Sequence, residues 1–109
     1  EAKEIKKTAA TDLAEEIIGA YDSELVGVAY IKPTLVKDIK EFGIVIKKEY
    51  QKRGIGEKLL TEIEKTAKDT LVAKTLISNI GINKLLLRHG WKITKRFYRD
   101  NFQYLKKWK

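Results

Sequence analysis

Cysteine and methionine are absent from this 109-residue chain, which carries a single histidine and a single proline. Without cysteine there is no disulfide, no thiolate nucleophile and no Cys-ligated metal. One imidazole, that of His89, argues against a His-based metal centre, so no metal is expected. No run approaches the roughly 18 apolar residues of a membrane span, and no charged-then-apolar leader opens the chain. The expectation is a cytoplasmic protein with no membrane partner. The lack of Cys and Met, the few Asn and Gln, and the abundant Lys and Glu resemble the usage of heat-adapted proteins. What is present is 43% hydrophobic and 35% charged, the balance of a globular chain. A chain of this length buries roughly two-thirds of its unfolded surface, enough for one core, so residues 1 to 109 are expected to form a single domain.

The formal charge of +8 is unevenly spread. Residues 88 to 109 hold Arg88, Lys92, Lys95, Arg96, Arg99, Lys106, Lys107 and Lys109 against Asp100, a net +7, while residues 1 to 87 are almost balanced at +1. A localised basic face suits an anionic partner, such as nucleic acid, acidic protein, anionic lipid or a phosphorylated ligand. Lysines guarding a strand edge against aggregation would give the same pattern.

In the first fifteen residues and just beyond, Ile5, Ala9, Leu13 and Ile17 recur at spacings of four, which suggests one helical face. Residues 16 to 21 and 25 to 31 are β-branched and aromatic runs around Asp22-Ser23-Glu24, a strand hairpin. Residues 33 to 40, with Pro33, read as a connection, and 41 to 47 as a third strand. From 56 to 69 the period changes: Ile55, Leu59, Leu60, Ile63 and Ala67 share one face, and Glu64 can pair with Lys68 at i,i+4. Residues 71 to 78 read as a strand, Ile82 to His89 as a short helix stopped by Gly90, and 91 to 109 as a hairpin turning at Arg99-Asp100-Asn101. A strand-helix-strand unit among antiparallel strands implies a mixed α+β sheet.

The most informative stretch is Gln51-Lys52-Arg53-Gly54-Ile55-Gly56, between a strand and a helix. Two glycines one residue apart let the backbone turn sharply, and the unpaired N-H groups of a new helix add positive potential. Lys52 and Arg53 bring formal charge to the same place, which suits a pyrophosphate. It is not a Walker loop, since no Gly-Lys-Ser/Thr follows, and it lacks the third glycine and downstream acid of a dinucleotide fingerprint.

At these residues the chain resembles the GNAT superfamily of acyl-CoA-dependent N-acetyltransferases, whose signature is Q/R-x-x-G-x-G/A after a strand and before a helix. The match runs from Ile44 to Gly56 and includes Tyr50; a second block, Asn79 to Trp91, matches the family's Asn, short helix and Gly-aromatic pattern. The resemblance covers about residues 15 to 105. It implies a GNAT-like mixed sheet with antiparallel hairpins flanking a parallel β-α-β unit, and acetyl-CoA in a cleft where strands 41 to 47 and 71 to 78 splay apart. It also implies that the backbone of Ile44, Val45 and Ile46 pairs with the pantetheine, that Gln51, Lys52, Arg53, Gly54, Ile55 and Gly56 hold the pyrophosphate, and that Asn79 and Asn83 contact the pantetheine or nucleotide.

The reaction so implied is direct attack by a primary amine, of a protein N-terminus, a lysine or a small molecule, on the thioester. That step needs a neutral amine, a polarised carbonyl and a proton for the departing thiolate. Many family members supply the proton from a tyrosine in the second block; the matching position here is Leu86, which has none to give. Glu41 is a candidate general base, although a solvated strand-end acid would look the same. His89 ends a helix before Gly90, where histidine commonly faces the dipole or packs. Trp91, Phe97, Tyr98, Phe102, Tyr104 and Trp108 interleave with basic residues, as in a single-strand nucleic-acid platform or as hairpin packing, and packing is the favoured reading.

Family members usually place a strand and two helices before the hairpin that begins here near residue 16. Fifteen residues cannot supply all of that, so the acceptor half is expected to be reduced, open or completed by a second subunit, which favours a homodimer. The expectation is an acetyl-CoA-dependent N-acetyltransferase whose basic terminal strands favour an acidic or phosphate-bearing acceptor partner. The alternative is a catalytically degenerate module of the same fold that binds acyl-CoA or nucleic acid, the latter not favoured as partner.

Overall fold

The computed structural model of the protein describes residues 4 to 7 and 14 to 109. Strands β1 (Glu4–Lys7), β2 (Glu16–Asp22), β3 (Glu24–Pro33) and β4 (Ile39–Ile46) run as an antiparallel meander. Helix α1 (Ile55–Thr66) then crosses to β5 (Thr70–Leu76), which lies parallel to β4. Helix α2 (Ile80–Arg88) leads to the terminal hairpin of β6 (Lys92–Phe97) and β7 (Phe102–Lys107), with β7 inserted beside β5. The sheet order is β1-β2-β3-β4-β5-β7-β6, the mixed α+β architecture expected.

Local chemistry sets the corners. Ser23, with φ +67°, closes the β2-β3 turn so that Asp22 faces Glu24, and Asn101, with φ +56°, reverses the chain between β6 and β7. Left-handed positions suit Asn, whose short polar side chain can bond locally; here its amide donates to Ser78 Oγ at 3.1 Å. Gly90, with φ +87°, ends α2 at the position where a Cβ is least tolerated.

Opposite residues of an antiparallel pair share a face, so the register divides the sheet. Ile18, Ala29 and Ile44 form one row, Ile31 and Phe42 the next, and Ala73 with Leu105 a third; all point to the face that carries both helices. There α1 buries Ile55, Leu59, Leu60 and Ile63, and α2 buries Leu85 and Leu86. Each such side chain contributes about 1.5–3 kcal/mol when fully withdrawn from water. Trp91 fills the space below α2, its ring 5.4 Å from that of Phe42. The opposite face carries Val28, Tyr30, Lys32, Glu41, Gly43 and Val45, and continues through Lys74, Phe102 and Tyr104 to Phe97. Among the described residues no helix lies on it.

Several expectations are corrected. Ile5 and Ile17 do not share a helical face: Ile5 lies on β1, paired with Ala20 toward the core, and Ile17 on β2, paired with Tyr30 on the uncovered face. A spacing of four is an even number and fits a strand as well as a helix. Ala9 and Leu13 lie outside the described residues. Helix α1 stops at Thr66, because Ala67 turns extended (φ −65°, ψ 128°) and Thr70 already pairs with Ile39 of β4. Lys68 therefore has no helical i,i+4 relation to Glu64, whose carboxylate instead faces His89, Trp91 and Lys107. The third strand starts two residues earlier than expected, at Ile39, and β5 ends at Leu76 so that Asn79 can cap α2.

Candidate active site

Between β4 and β5 the ladder holds for three pairs, Ile39 with Thr70, Lys40 with Leu71 and Glu41 with Val72, and then stops. Beyond it the strands part around a cleft of about 240 Å³ lined by Phe42, Gly43, Ile44, Lys74, Thr75 and Leu86 among others. Backbone geometry says which groups face it. Lys47 N-H donates to Val26 O of β3 at 2.9 Å, so across a trans peptide the Ile46 carbonyl points the other way, toward β5. Strand alternation then turns the polar groups of Ile44 to the cleft as well, and those of Val45 to β3, where it pairs with Val28. Of the three residues expected to offer backbone here, two are turned toward the cleft and one is used by the sheet.

At the head of the cleft the chain forms a short 3-10 turn, Lys48–Tyr50, and then the loop leading into α1. Gln51 Nε2 donates to Ile46 O at 3.1 Å, and the Tyr50 hydroxyl donates to Asp22 Oδ2 at 3.0 Å, tying the turn to the β2-β3 corner. That hydrogen bond, with burial adding to it, raises the Tyr50 phenol above its ordinary value. The Arg53 guanidinium sits 5.1 Å from the Tyr50 ring centroid. Lys52 and Gly54 have φ of +63° and +82°, and no side chain caps the first turn of α1. First-turn N-H groups of this kind are positively polarised and available to an anion. Gly56 has a different task from Gly54: a methyl group on it would lie 3.1 Å from Leu85 Cδ2 and 3.2 Å from Ile46 Cδ1. The second glycine thus seats α1 against β4 and α2, and the turn itself rests on Gly54.

The second block is divided. Asn79 lines the cleft and caps α2, its Oδ1 accepting from Ile82 N at 3.3 Å. Asn83 is buried and its amide donates to Leu76 O at 3.0 Å and Ile77 O at 3.4 Å, while its Oδ1 accepts from Thr75 Oγ1 at 2.6 Å. Both donors of Asn83 are thereby committed to holding the end of β5 away from β4. Leu86 is fully buried on the cleft wall. Glu41 stands on the uncovered face at the closed end of the cleft, 3.6 Å from Lys32 Nζ.

Sequence reasoning passed over Tyr30. It faces Gly43 directly in the β3-β4 register, and its ring lies across that glycine: a methyl group on Gly43 would be 2.1 Å from Tyr30 Cζ and 2.2 Å from its hydroxyl oxygen. Gly43 lines the cleft, so the phenol lies over one of the lining residues from the uncovered face. The available signal was a large residue opposite a glycine across a hairpin, legible only once the register is known.

His89 has no place in the cleft. Its Nδ1 lies 2.8 Å from Glu64 Oε1 and its Nε2 contacts Glu57 Oε2, both on α1. Burial pulls the imidazole down, but the hydrogen bonds to Glu64 and Glu57 outweigh it and hold it above its ordinary value. Trp91 Nε1 donates to Glu64 Oε2 at 3.1 Å, and Lys107 Nζ donates to the His89 carbonyl. This is a polar clasp between α1, α2 and β7.

The sequence model of the Acetyltransferase (GNAT) family matches residues 3–91. The chain belongs to that family. The GNAT match reaches back through β1, so the front of the domain keeps a strand that was not expected, and residues 8 to 15 connect it to β2. No curated protein matches the chain. Solved structures do: IAA acetyltransferase from Bacillus cereus, at 20% identity and a TM-score of 0.73, with 86% of this chain and 77% of that one covered. yncA from Salmonella typhimurium, solved with its cofactor acetyl-CoA, aligns at 14% identity and a TM-score of 0.76, over 85% of this chain but 64% of that one. Ribosomal-protein-alanine N-acetyltransferase from Brucella melitensis aligns at 17% and 0.76, over 86% and 68%. Likeness at these identities speaks for the GNAT fold. Among the described residues no cluster of His, Asp and Glu is placed to hold a metal, and no helix is long and apolar enough to cross a membrane.

Proposed function

We propose that the protein is an acetyl-CoA-dependent N-acetyltransferase acting on a primary amine. The observation that carries this reading is the three-pair β4-β5 ladder that opens into a cleft, with the Ile44 and Ile46 backbone on its wall and the uncapped start of α1 at its head. Those residues fit the cosubstrate: a strand edge for the amide groups of pantetheine, and Lys52, Arg53 and the α1 N-terminus for its pyrophosphate. When bound, acetyl-CoA supplies an activated acyl group as a thioester. The cleft-facing N-H groups of Ile44 and Ile46 are the donors for the thioester oxygen, since that of Val45 faces β3. The amine enters from the uncovered face, where Glu41 is the carboxylate that receives its proton and the Tyr30 hydroxyl, in place of the family's tyrosine at Leu86, is the donor to the leaving sulfur. Asn79 borders the cofactor and Asn83 holds its cleft open.

The sequence has only eight residues, 8 to 15, between β1 and β2, a length that favours completion of the acceptor side by a second copy or by the acceptor itself. A second reading, acyl-CoA binding without turnover, draws on the fully apolar wall at Leu86. Thermal melting with acetyl-CoA, CoA and no ligand tests the cofactor, because a ligand that binds only the native state raises the transition by mass action. A rise that Lys52→Ala with Arg53→Ala weakens about tenfold in concentration dependence is expected. Free thiol released from acetyl-CoA on adding an amine panel then tests catalysis. A rise in melting without thiol release would leave the binding-only reading standing, and no rise at millimolar acetyl-CoA would refute both.

A further inference from the structure

The uncovered sheet face changes character past the cleft. On β5, β7 and β6 the register places Lys74, Tyr104 and Lys95 in one row, Phe102 and Phe97 in the next, and Lys106 with Lys92 in a third. The rings of Phe97 and Phe102 are stacked, centroids 4.5 Å apart at 21°, and Tyr104 stands edge-on to both at 6.0 and 5.6 Å. Lysine ammonium groups cap them: Lys74 Nζ is 4.2 Å from the Phe102 centroid, Lys95 Nζ 5.0 Å from that of Phe97, and Lys106 Nζ 5.2 Å from that of Trp108. Trp108 is 56% exposed.

None of Lys74, Lys92, Lys95 and Lys106 makes a salt bridge among the described residues, and the register puts no acid on this part of the face. By contrast Lys107, one residue away on the helix side, is bound to Glu64 and His89, and Arg96 to Gln103 and Tyr98. The excess charge of the terminal strands is therefore sorted: one face spends it internally and the other leaves it open.

We propose that this face of β5, β7 and β6 is a docking platform for single-stranded nucleic acid, whose phosphates meet Lys74, Lys92, Lys95 and Lys106 while a base stacks on the exposed ring of Trp108. Charge complementarity selects the occupant. A second copy laid on the same face would bring four uncompensated cations against four more, at a cost in repulsion. An acidic peptide would satisfy the lysines but offer no flat partner to the exposed Trp108 ring, whereas every base does. The platform borders the cleft through Lys74 and Leu76, yet its binding does not depend on acetyl transfer.

Fluorescein-labelled 12-nucleotide RNA and DNA of mixed sequence, titrated with the full chain in anisotropy over 25 to 250 mM salt (over which the Debye length shrinks about threefold), provide the test. Four engaged lysines predict that log Kobs falls with log salt at a slope of about −2.8. The combined Lys92→Gln, Lys95→Gln and Lys106→Gln variant should reduce that slope to about −0.7. Its melting temperature, which these positions, none of them buried, should not lower, controls for folding. Trp108→Ala should weaken binding about tenfold, and the emission of exposed Trp108 should be quenched by the oligonucleotide while that of buried Trp91 is not. An unchanged slope in the triple variant, no Trp108 quenching, or tighter association with phosphatidylserine vesicles or with a second copy in light scattering than with either oligonucleotide would overturn the proposal.

Discussion

Glu64→Ala is expected to lower the unfolding free energy by about 2–4 kcal/mol, a loss typical of a broken buried ion and hydrogen-bond cluster. One carboxylate there accepts from His89 at 2.8 Å and from Trp91 Nε1 at 3.1 Å, with Lys107 Nζ at 3.6 Å. Trp91 is almost wholly buried, so truncation leaves its indole N-H without a partner where water scarcely reaches. The comparison is Glu62→Ala on the same helix, whose exposed i,i+3 pair with Lys65 is expected to be worth less than about 0.5 kcal/mol. Urea unfolding of the two variants measures both, and equal losses would show the clasp to be ornamental.

The same cluster makes stability depend on pH in a defined sense. Against its burial, the hydrogen bonds of Glu64 and Glu57 raise His89, so its contribution is complete below the unfolded value of about 6.5 and is lost as pH rises through the higher folded one. Glu57 moves oppositely: the hydrogen bond from His89, against some burial and with help from Arg88, lowers it. Its share is present above the ordinary carboxylate value near 4.5 and is lost as pH falls through the depressed one. Between those limits the clasp is at full strength. His89→Ala should thus cost more at pH 5.5 than at pH 9, and a cost independent of pH would remove the imidazolium from the account.

These expectations bear on what was legible beforehand. The α1 stripe of Ile55, Leu59, Leu60 and Ile63 was readable because a 3.6-residue period is a local property, and all four are buried. The loop that leads into α1 was readable because Gly54 and the start of a helix are neighbours in the chain. What could not be read depends on register. Glu64 was assigned to Lys68 because both lay on one helical pattern, yet the helix ends at Thr66 and tertiary partners from α2 and β7 take the carboxylate. Asn83 was placed with the cofactor by resemblance, whereas its three hydrogen bonds go to Thr75, Leu76 and Ile77. The basic tail was counted as one cluster, although strand alternation sends Lys106 and Lys107 to opposite faces. The first strand was missed because its spacing of four is shared by both kinds of element.

Tyr30→Phe should lower the turnover of acetyl-CoA with an amine by about a hundredfold, the lower end of what a positioned proton donor contributes. The substitution removes one oxygen and keeps the ring that covers Gly43, so folding and the KM for acetyl-CoA should be unchanged. Gly43→Ala asks the same question from the other strand. Its methyl group would meet Tyr30 Cζ at 2.1 Å, and because the obstacle is the far end of a side chain on an uncovered face, the ring can swing outward. The stability cost should then be about 1 kcal/mol, the lower end of overpacking, while the hydroxyl moves away from Gly43 and turnover falls as it does in Tyr30→Phe. Because both substitutions act on one oxygen, the double variant should be no slower than either single one. Additive losses would mean that Gly43 matters for the cleft wall and not for Tyr30. A Tyr30→Phe enzyme that turns over at the native rate would return the proton to solvent and leave Glu41, tested by Glu41→Gln and the acid limb of the pH profile, as the one side chain of this chain in the chemistry.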